Sequence, residues 1–342
     1  MSETLVLNDS CQKFMDMFNL KHPIIQAPMD GPATAPLATA VTNAGALGSL
    51  PLTWLSPEIA YQSVTAVKAK TQGAFFGNYV LNFPTSSLDK AIEAGIETIQ
   101  FSWGIPNAEL VVKLRAHGIR IGIQVIGQEN AQQAMECAPD FLVCQGIEAG
   151  GHVQANKPLL LALDEVLKVA DGTPVAASGG IASGKDIRAV IDAGAAAAVL
   201  GSRFVATTES VAHPEYKAQI VAAQGPEDTV LTVCLNKVWP NATHRILRTN
   251  SSFQMWEAAG RPPGPYYIGQ PAGPRPGEHD IVMRYPNGSV LERYTGIVPI
   301  EGMAKCDVNA LGTYAGFGVA DINDIPNVAE LVMRLAEELK GP

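Results

Sequence analysis

Eight apolar runs of β-rich character recur through the first 205 residues, each followed by a loop or by a segment with helical spacing. They are Ile24–Met29, Ala46–Leu50, Ala74–Leu81, Thr98–Trp103, Arg120–Ile126, Phe141–Gly146, Pro174–Gly180 and Ala197–Val205. The intervening segments predict helices over Ala35–Asn43, Pro57–Lys70, Ser87–Ala94, Asn107–His117, Glu129–Cys137, Leu159–Ala170 and Lys185–Ala193. Asn107 and Ser183 stand where a side-chain oxygen can cap the first turn, and Gly95, Gly118 and Gly194 stand where helices should stop.

Eight such strands in alternation with helices predict a (β/α)8 barrel, whose strands read as continuous apolar runs because both faces are covered. A doubly wound sheet shares the alternation, but no GxGxxG follows the first strand. After about Ala212 the texture changes. Thr229–Val238 reads as a strand, Asn250–Ala259 as a helix and residues 261–278 as a Pro/Gly-rich loop. Helical spacing returns over Asn327–Leu339 and predicts a last helix that closes the outer ring. The expected division is a barrel built from residues 1–212 and 309–342, with a small subdomain over 213–308 covering the active site.

Composition narrows the class of function. Of 342 residues, 47% are hydrophobic and 17% charged, which suits a compact enzyme and excludes disorder. A net charge of −9 disfavours nonspecific binding to nucleic acid or anionic membrane. The N-terminal residues lack a signal-peptide pattern, and no apolar stretch reaches the roughly 18 residues of a spanning helix, so a cytoplasmic enzyme is expected. The five cysteines are widely spaced without a metal-ligand pattern, and HxH and HExxH are absent, so no metal site is expected.

The richest segment is QGIEAGGH, residues 145–152. A Gly-Gly pair just past an apolar strand lets the backbone turn sharply and approach a ligand, and His152 then falls on the catalytic rim of a barrel. Two more glycine-bearing strand ends follow, Ser178-Gly179-Gly180-Ile181 and Leu200-Gly201-Ser202. Each alone reads as a tight turn; side by side they read as a nest of backbone amides for a phosphate, since barrels hold phosphate after strands seven and eight. Met29 can pack on a flat ring or in the core. Asn78, Gln124 and Gln145, from three different strands, carry amides that both donate and accept, as a flavin edge or ribityl chain requires.

The set HPIIQAPMDG, FSWGIP, QGIEAGGH, PVAASGGI and VLGSRFVATTES resembles the nitronate monooxygenase family, over approximately residues 20–212 and weakly in the tail YAGFGV, Tyr314–Val319. The resemblance implies an FMN-dependent barrel. It assigns FMN contacts to Met29, Asn78, Gln124, Gln145, Gly150, Gly179, Gly180, Gly201 and Ser202, and makes His152 the active-site histidine. Trp103 and Tyr314 either line the substrate pocket or pack in the core. The implied reaction oxidises an alkyl nitronate with O2 to a carbonyl compound and nitrite, His152 acting as base toward a neutral nitroalkane. The expected partners are a small-molecule substrate and O2, with room left for a homodimer.

This chain departs from the family pattern where Val153-Gln154 follows the histidine in place of Arg-Gly. Related NADH:quinone reductases and enoyl-thioester reductases share the scaffold, so an NAD(P)H-dependent reductase is the alternative. A flavin-binding protein without turnover is the third.

Overall fold

The computed structural model describes residues 7–341 except 236, 240–241, 261–274, 286 and 304–305. Most of the expected Pro/Gly-rich loop over 261–278 therefore lies outside the described residues. Eight parallel strands form one sheet: β1 (Ile24–Gln26), β2 (Gly48–Pro51), β3 (Phe75–Val80), β4 (Thr98–Ser102), β5 (Arg120–Val125), β6 (Phe141–Gln145), β8 (Val175–Ser178) and β9 (Ala197–Leu200). Ladders join β2 through β6 in sequence order, then β8, β9 and β1. The parallel bridge Ile25↔Leu47 closes β1 onto the β2 side, so the sheet is a (β/α)8 barrel.

The helices α2 (Ala35–Asn43), α3 (Pro57–Lys68), α4 (Leu88–Glu93), α5 (Ala108–Ala116), α6 (Gln128–Met135), α7 (Leu159–Leu167) and α8 (Gly184–Asp192) follow the first seven barrel strands in turn. The ring's last member is α12 (Val328–Leu339), which packs on α8 and α2 through Val328, Leu331, Val332 and Leu335. The caps fall as expected: Asn107 accepts from Leu110 N–H at 2.9 Å, and Ser183 forms a reciprocal capping box with Asp186.

The helix α1 (Asp9–Phe18) has no counterpart in the sequence reading, although Cys11, Phe14 and Phe18 recur at helical spacing and are its buried face. It plugs the barrel floor. Phe14 and Phe18 stand edge-on to Phe141 at centroid distances of 5.7 and 5.6 Å. Burying rings of this size stabilises by about 1.5–3 kcal/mol each. Gly122 makes room for this plug, because a Cβ there would lie 2.2 Å from the Phe141 ring.

The observed strands are shorter than their apolar runs, and in three of them a local cause is visible. β1 stops at Gln26, before Pro28, which has no N–H for a ladder. The run Ala197–Val205 splits at Gly201: β9 ends at Leu200, and Ser202–Val205 form the one-turn helix α9, with Phe204 and Val205 N–H donating to Gly201 O at 2.8 and 3.1 Å. Strand β10 (Thr229–Thr232) ends well before Val238 because the chain turns at residues 233–235.

A second sheet has the order β10, β11 (His244–Leu247), β7 (Gly151–His152). The helices α10 (Pro214–Ala222) and α11 (Ser251–Ala258) and an antiparallel ribbon of β12 (Ile281–Arg284) and β13 (Val290–Glu292) complete the region after Ala212. Among the described residues no helix is long and apolar enough to cross a membrane.

Candidate active site

A cavity of about 560 Å³ opens at the C-terminal ends of the barrel strands. Met29, Asn78, Trp103, Gln124, Gln145, Gly150, His152, Gly179, Gly180, Gly201, Ser202 and Tyr314 all line it. The barrel thus brings together every site residue singled out in the sequence.

His152 is held by backbone pairing. It lies in the two-residue strand β7, and β11 runs antiparallel beside it in the register His244↔His152 and Arg245↔Gly151. Val153 N–H extends the pairing to Thr243 O at 2.8 Å, and Gly151, at φ +73°, supplies the turn that brings the chain back. The histidine is therefore not on a free loop end; the distant β11 fixes it. Its imidazole is stacked on the Trp239 indole at 4.3 Å and 28°, with Tyr314 at 5.5 Å and His244 also at 5.5 Å.

His244 is fully buried and its tautomer follows from its partners. Its Nε2 must accept, because Leu235 N–H donates to it at 3.2 Å; its Nδ1 then donates to Ala242 O at 3.0 Å. Burial pushes its pKa down to about 4, so this ring is neutral at ordinary pH.

The amide side chains divide into two groups. Gln145 Oε1 accepts from Gln154 N–H at 2.8 Å, while its Nε2 donates to His152 O at 3.2 Å, so this side chain braces the histidine loop. Gln124 Nε2 reaches Gln154 Oε1 at 3.1 Å. On the neighbouring strands, Asn78 Nδ2 donates to Gln100 Oε1 at 2.6 Å and to Ser102 Oγ at 2.9 Å. Gln100 and Ser102 also line the cavity and escaped the sequence reading. The signal was there: in TIQFS, residues 98–102, polar and apolar residues alternate, which puts Gln100 and Ser102 together on the inner face.

The glycines do different work. A Cβ at Gly150 would lie 2.5 Å from Gly316 N and 2.6 Å from Ala315 C, so the backbone of the YAGFGV tail is what demands glycine there. Gly316 N–H in turn donates to Ser202 Oγ at 3.0 Å. Gly179 and Gly180 have φ of +132° and +71°. The N–H groups of Gly179, Gly180 and Ser202 donate to no acceptor among the described residues, an open set of amides on the cavity wall. The start of α8 adds nothing to this set. Asp186 Oδ2 already accepts from Ala182 and Ser183 N–H at 3.0 and 2.9 Å, and Glu338 Oε2 takes Gly184 N–H at 2.8 Å. That helix end is closed by the protein's own carboxylates, so the open amides lie upstream of it.

Trp103 adopts φ +59°, a left-handed conformation that costs a non-glycine residue about 1–2 kcal/mol. It turns the indole to within 4.7 Å of Trp239 and 6.3 Å of His152. Trp239 itself gave no sequence signal, because the irregular segment carrying it has no periodicity. Tyr314 OH donates to Gly296 O at 3.0 Å, and Tyr216 OH donates to Tyr314 O. Asp30 lines the same cavity; although solvent reaches it, the surrounding protein desolvates its carboxyl and raises its pKa, against a lowering hydrogen bond from Gly31 N–H.

The family model of nitronate monooxygenases matches residues 12–91 and 83–338. The chain belongs to the nitronate monooxygenase family. It is 30% identical to a nitronate monooxygenase of Pseudomonas aeruginosa, across 96% of this chain and 99% of that one. Among solved structures it is similar to a nitroalkane oxidase of Streptomyces ansochromogenes, with a TM-score of 0.73, 25% identity, and 96% and 97% of the two chains covered. It is also similar to a mutant of FabK from Thermotoga maritima, with a TM-score of 0.76, 25% identity and 96% of each chain covered. As a nitronate monooxygenase family member, the protein is a flavin-dependent oxidoreductase built on a (β/α)8 barrel.

Proposed function

We propose that this protein holds one FMN and oxidises alkyl nitronates with O2 to carbonyl compounds and nitrite. The observation that carries this reading is a single cavity with His152 on one wall and the open amides of Gly179, Gly180 and Ser202 on another. Unpaired N–H groups at two adjacent strand ends suit a phosphate monoester. A Cβ at Gly201 would meet nothing nearer than 3.7 Å, which leaves space against this wall. Met29 and the amides of Asn78, Gln124 and Gln145 offer thioether, donor and acceptor atoms to a flat heteroaromatic ring.

When bound, FMN supplies the electron transfer between substrate and oxygen. The chain's own residues do the rest. His152 receives at an imidazole nitrogen the α-proton of a neutral nitroalkane; a preformed nitronate arrives without that proton and skips the step. The stack with Trp239 and the β7–β11 pairing hold the ring in place for that transfer. Apolar side chains around the histidine keep bulk water from competing for the site.

The likeness to FabK supports a second reading, an NAD(P)H-dependent reductase of quinones or enoyl thioesters. Anaerobic mixing of the purified flavoprotein with ethyl nitronate, NADH and NADPH separates the two. The nitronate reading expects the flavin absorbance to change with ethyl nitronate, and nitrite to form once air is admitted. Rapid bleaching by a nicotinamide alone, with no nitrite from nitronate, replaces it with the reductase. Heat-released cofactor that co-elutes with FAD removes the FMN assignment.

A further inference from the structure

Three of the chain's four tryptophans line this one cavity, and with Phe83 they form an unbroken aromatic wall. Trp54 stands at the mouth with 46% of its surface exposed, 5.4 Å from Phe83 and 6.4 Å from Trp239. Phe83 lies 5.0 Å from Trp239, Trp239 lies 4.7 Å from Trp103, and His152 is stacked on Trp239. These rings come from the loops after β2, β3 and β4 and from the segment before β11, so four separate parts of the chain converge to build the wall. Val238, 62% exposed, extends it outward. Exposed aromatic surface leading into an enzyme cavity marks a ligand-binding face more often than chance placement.

Charge is as informative as shape. Among the described residues lining the cavity there is no lysine or arginine, and Asp30 is the only carboxylate. An anionic substituent on a substrate would leave water for an apolar wall with no lysine or arginine to meet it.

We propose that this site selects substrates carrying a flat, apolar, uncharged substituent, an aromatic ring above all, which lies along Trp54, Phe83, Trp239 and Trp103 while the reacting carbon reaches His152. The placement of the reacting carbon rests on the nitronate reading; the selection of the substituent does not. Edge-to-face contact with several rings favours an aromatic group over an alkyl group of equal size.

Equilibrium binding to the oxidised holoenzyme tests this without turnover, by tryptophan fluorescence and by perturbation of the flavin spectrum. Phenylacetamide, acetamide and 4-(carbamoylmethyl)benzoate, whose carboxylate sits on the ring, serve as unreactive probes. Phenylacetamide is expected to bind at least tenfold tighter than either of the others. Trp54→Ala, at an exposed position where folding is not at stake, should cut the advantage over acetamide about fivefold. Asp30→Asn should narrow the gap between phenylacetamide and 4-(carbamoylmethyl)benzoate. Equal affinity for the three probes, or a Trp54→Ala variant with the advantage intact, overturns the proposal. Turnover distinguishes its failure from that of the nitronate reading. If ethyl nitronate and the nitronate of (2-nitroethyl)benzene are oxidised with equal kcat/KM, the aromatic selection falls and the nitronate chemistry stands. If neither is oxidised while the binding preference holds, the chemistry falls and the selection stands.

Discussion

The imidazole of His152 and the indole of Trp239 are stacked face to face, ring centroids 4.3 Å apart and planes 28° from parallel. One ring comes from the turn after the sixth barrel strand and the other from the irregular chain that follows β10. The histidine is thus fixed twice, through its backbone by β11 and through its ring by Trp239.

A positioned base contributes about 10²–10⁴-fold to proton transfer. His152→Ala is expected to retain FMN and to lose a factor in that range on neutral nitroalkanes, with a smaller loss on preformed nitronates. Parallel kcat/KM measurements on nitroethane and ethyl nitronate check this. Equal losses on both would assign His152 to binding or charge stabilisation.

Gly180 allows strain and charge to be separated. At φ +71°, with a Cβ falling 3.0 Å from Glu148 Cβ, any substitution costs about 1–2 kcal/mol of backbone strain. Gly180→Ala and Gly180→Asp should therefore lose similar stability in urea. Only the aspartate adds a carboxylate beside the open amides, and it alone should purify with severely depleted flavin. Full flavin occupancy in a folded Gly180→Asp variant would reduce these amides to a turn.

Gly150 answers to packing. A Cβ there meets the backbone of Ala315 and Gly316, which cannot swing away as a side chain could. Gly150→Ala should destabilise by about 1–3 kcal/mol, in line with overpacking of a tight core. Denaturant titration measures it; a neutral effect would mean that the tail is free to shift.

His244 makes stability depend on pH. Its folded pKa, about 4, lies below the ordinary histidine value of about 6.5, so between these values the unfolded chain binds a proton that the folded chain refuses. Its contribution is fully present above about pH 6.5, falls as pH drops toward 4, and then levels off. The loss is at most about 3 kcal/mol. His244→Asn loses the Leu235 bond and some stability at pH 7, but its stability profile across this window should be flatter than that of the parent. Identical slopes would show that other groups govern acid unfolding.

Asp324 secures the end of the barrel that carries Ser202. It accepts from the buried Arg203 at 3.0 Å and from Arg334 at 2.6 Å. Because Asp324 is itself partly exposed, Asp324→Ala should cost about 1–3 kcal/mol, below the full penalty for breaking a buried pair. Thermal unfolding of the holoprotein checks the direction, and no change in Tm would refute it.

The sequence by itself determined the barrel, the caps of α5 and α8 and the rim positions of His152, Gly179, Gly180 and Gly201. Those features are written in local periodicity: apolar runs of strand length, helical spacing between them, and glycines where the backbone must turn. Folding alone decided the rest. The β7–β11 pairing, the Trp239 stack on His152, the plug made by Phe14 and Phe18, and the approach of Gly316 to Gly150 each join residues far apart in the chain. Helical spacing marks Phe14 and Phe18 as one buried face, but in no case does the local pattern name the partner, because each residue's own neighbours are compatible with many positions in space. The same holds for Gln145. Its residue type promised an amide for a ligand, and only the return of Gln154 to the same strand end showed that it also holds the loop of the histidine.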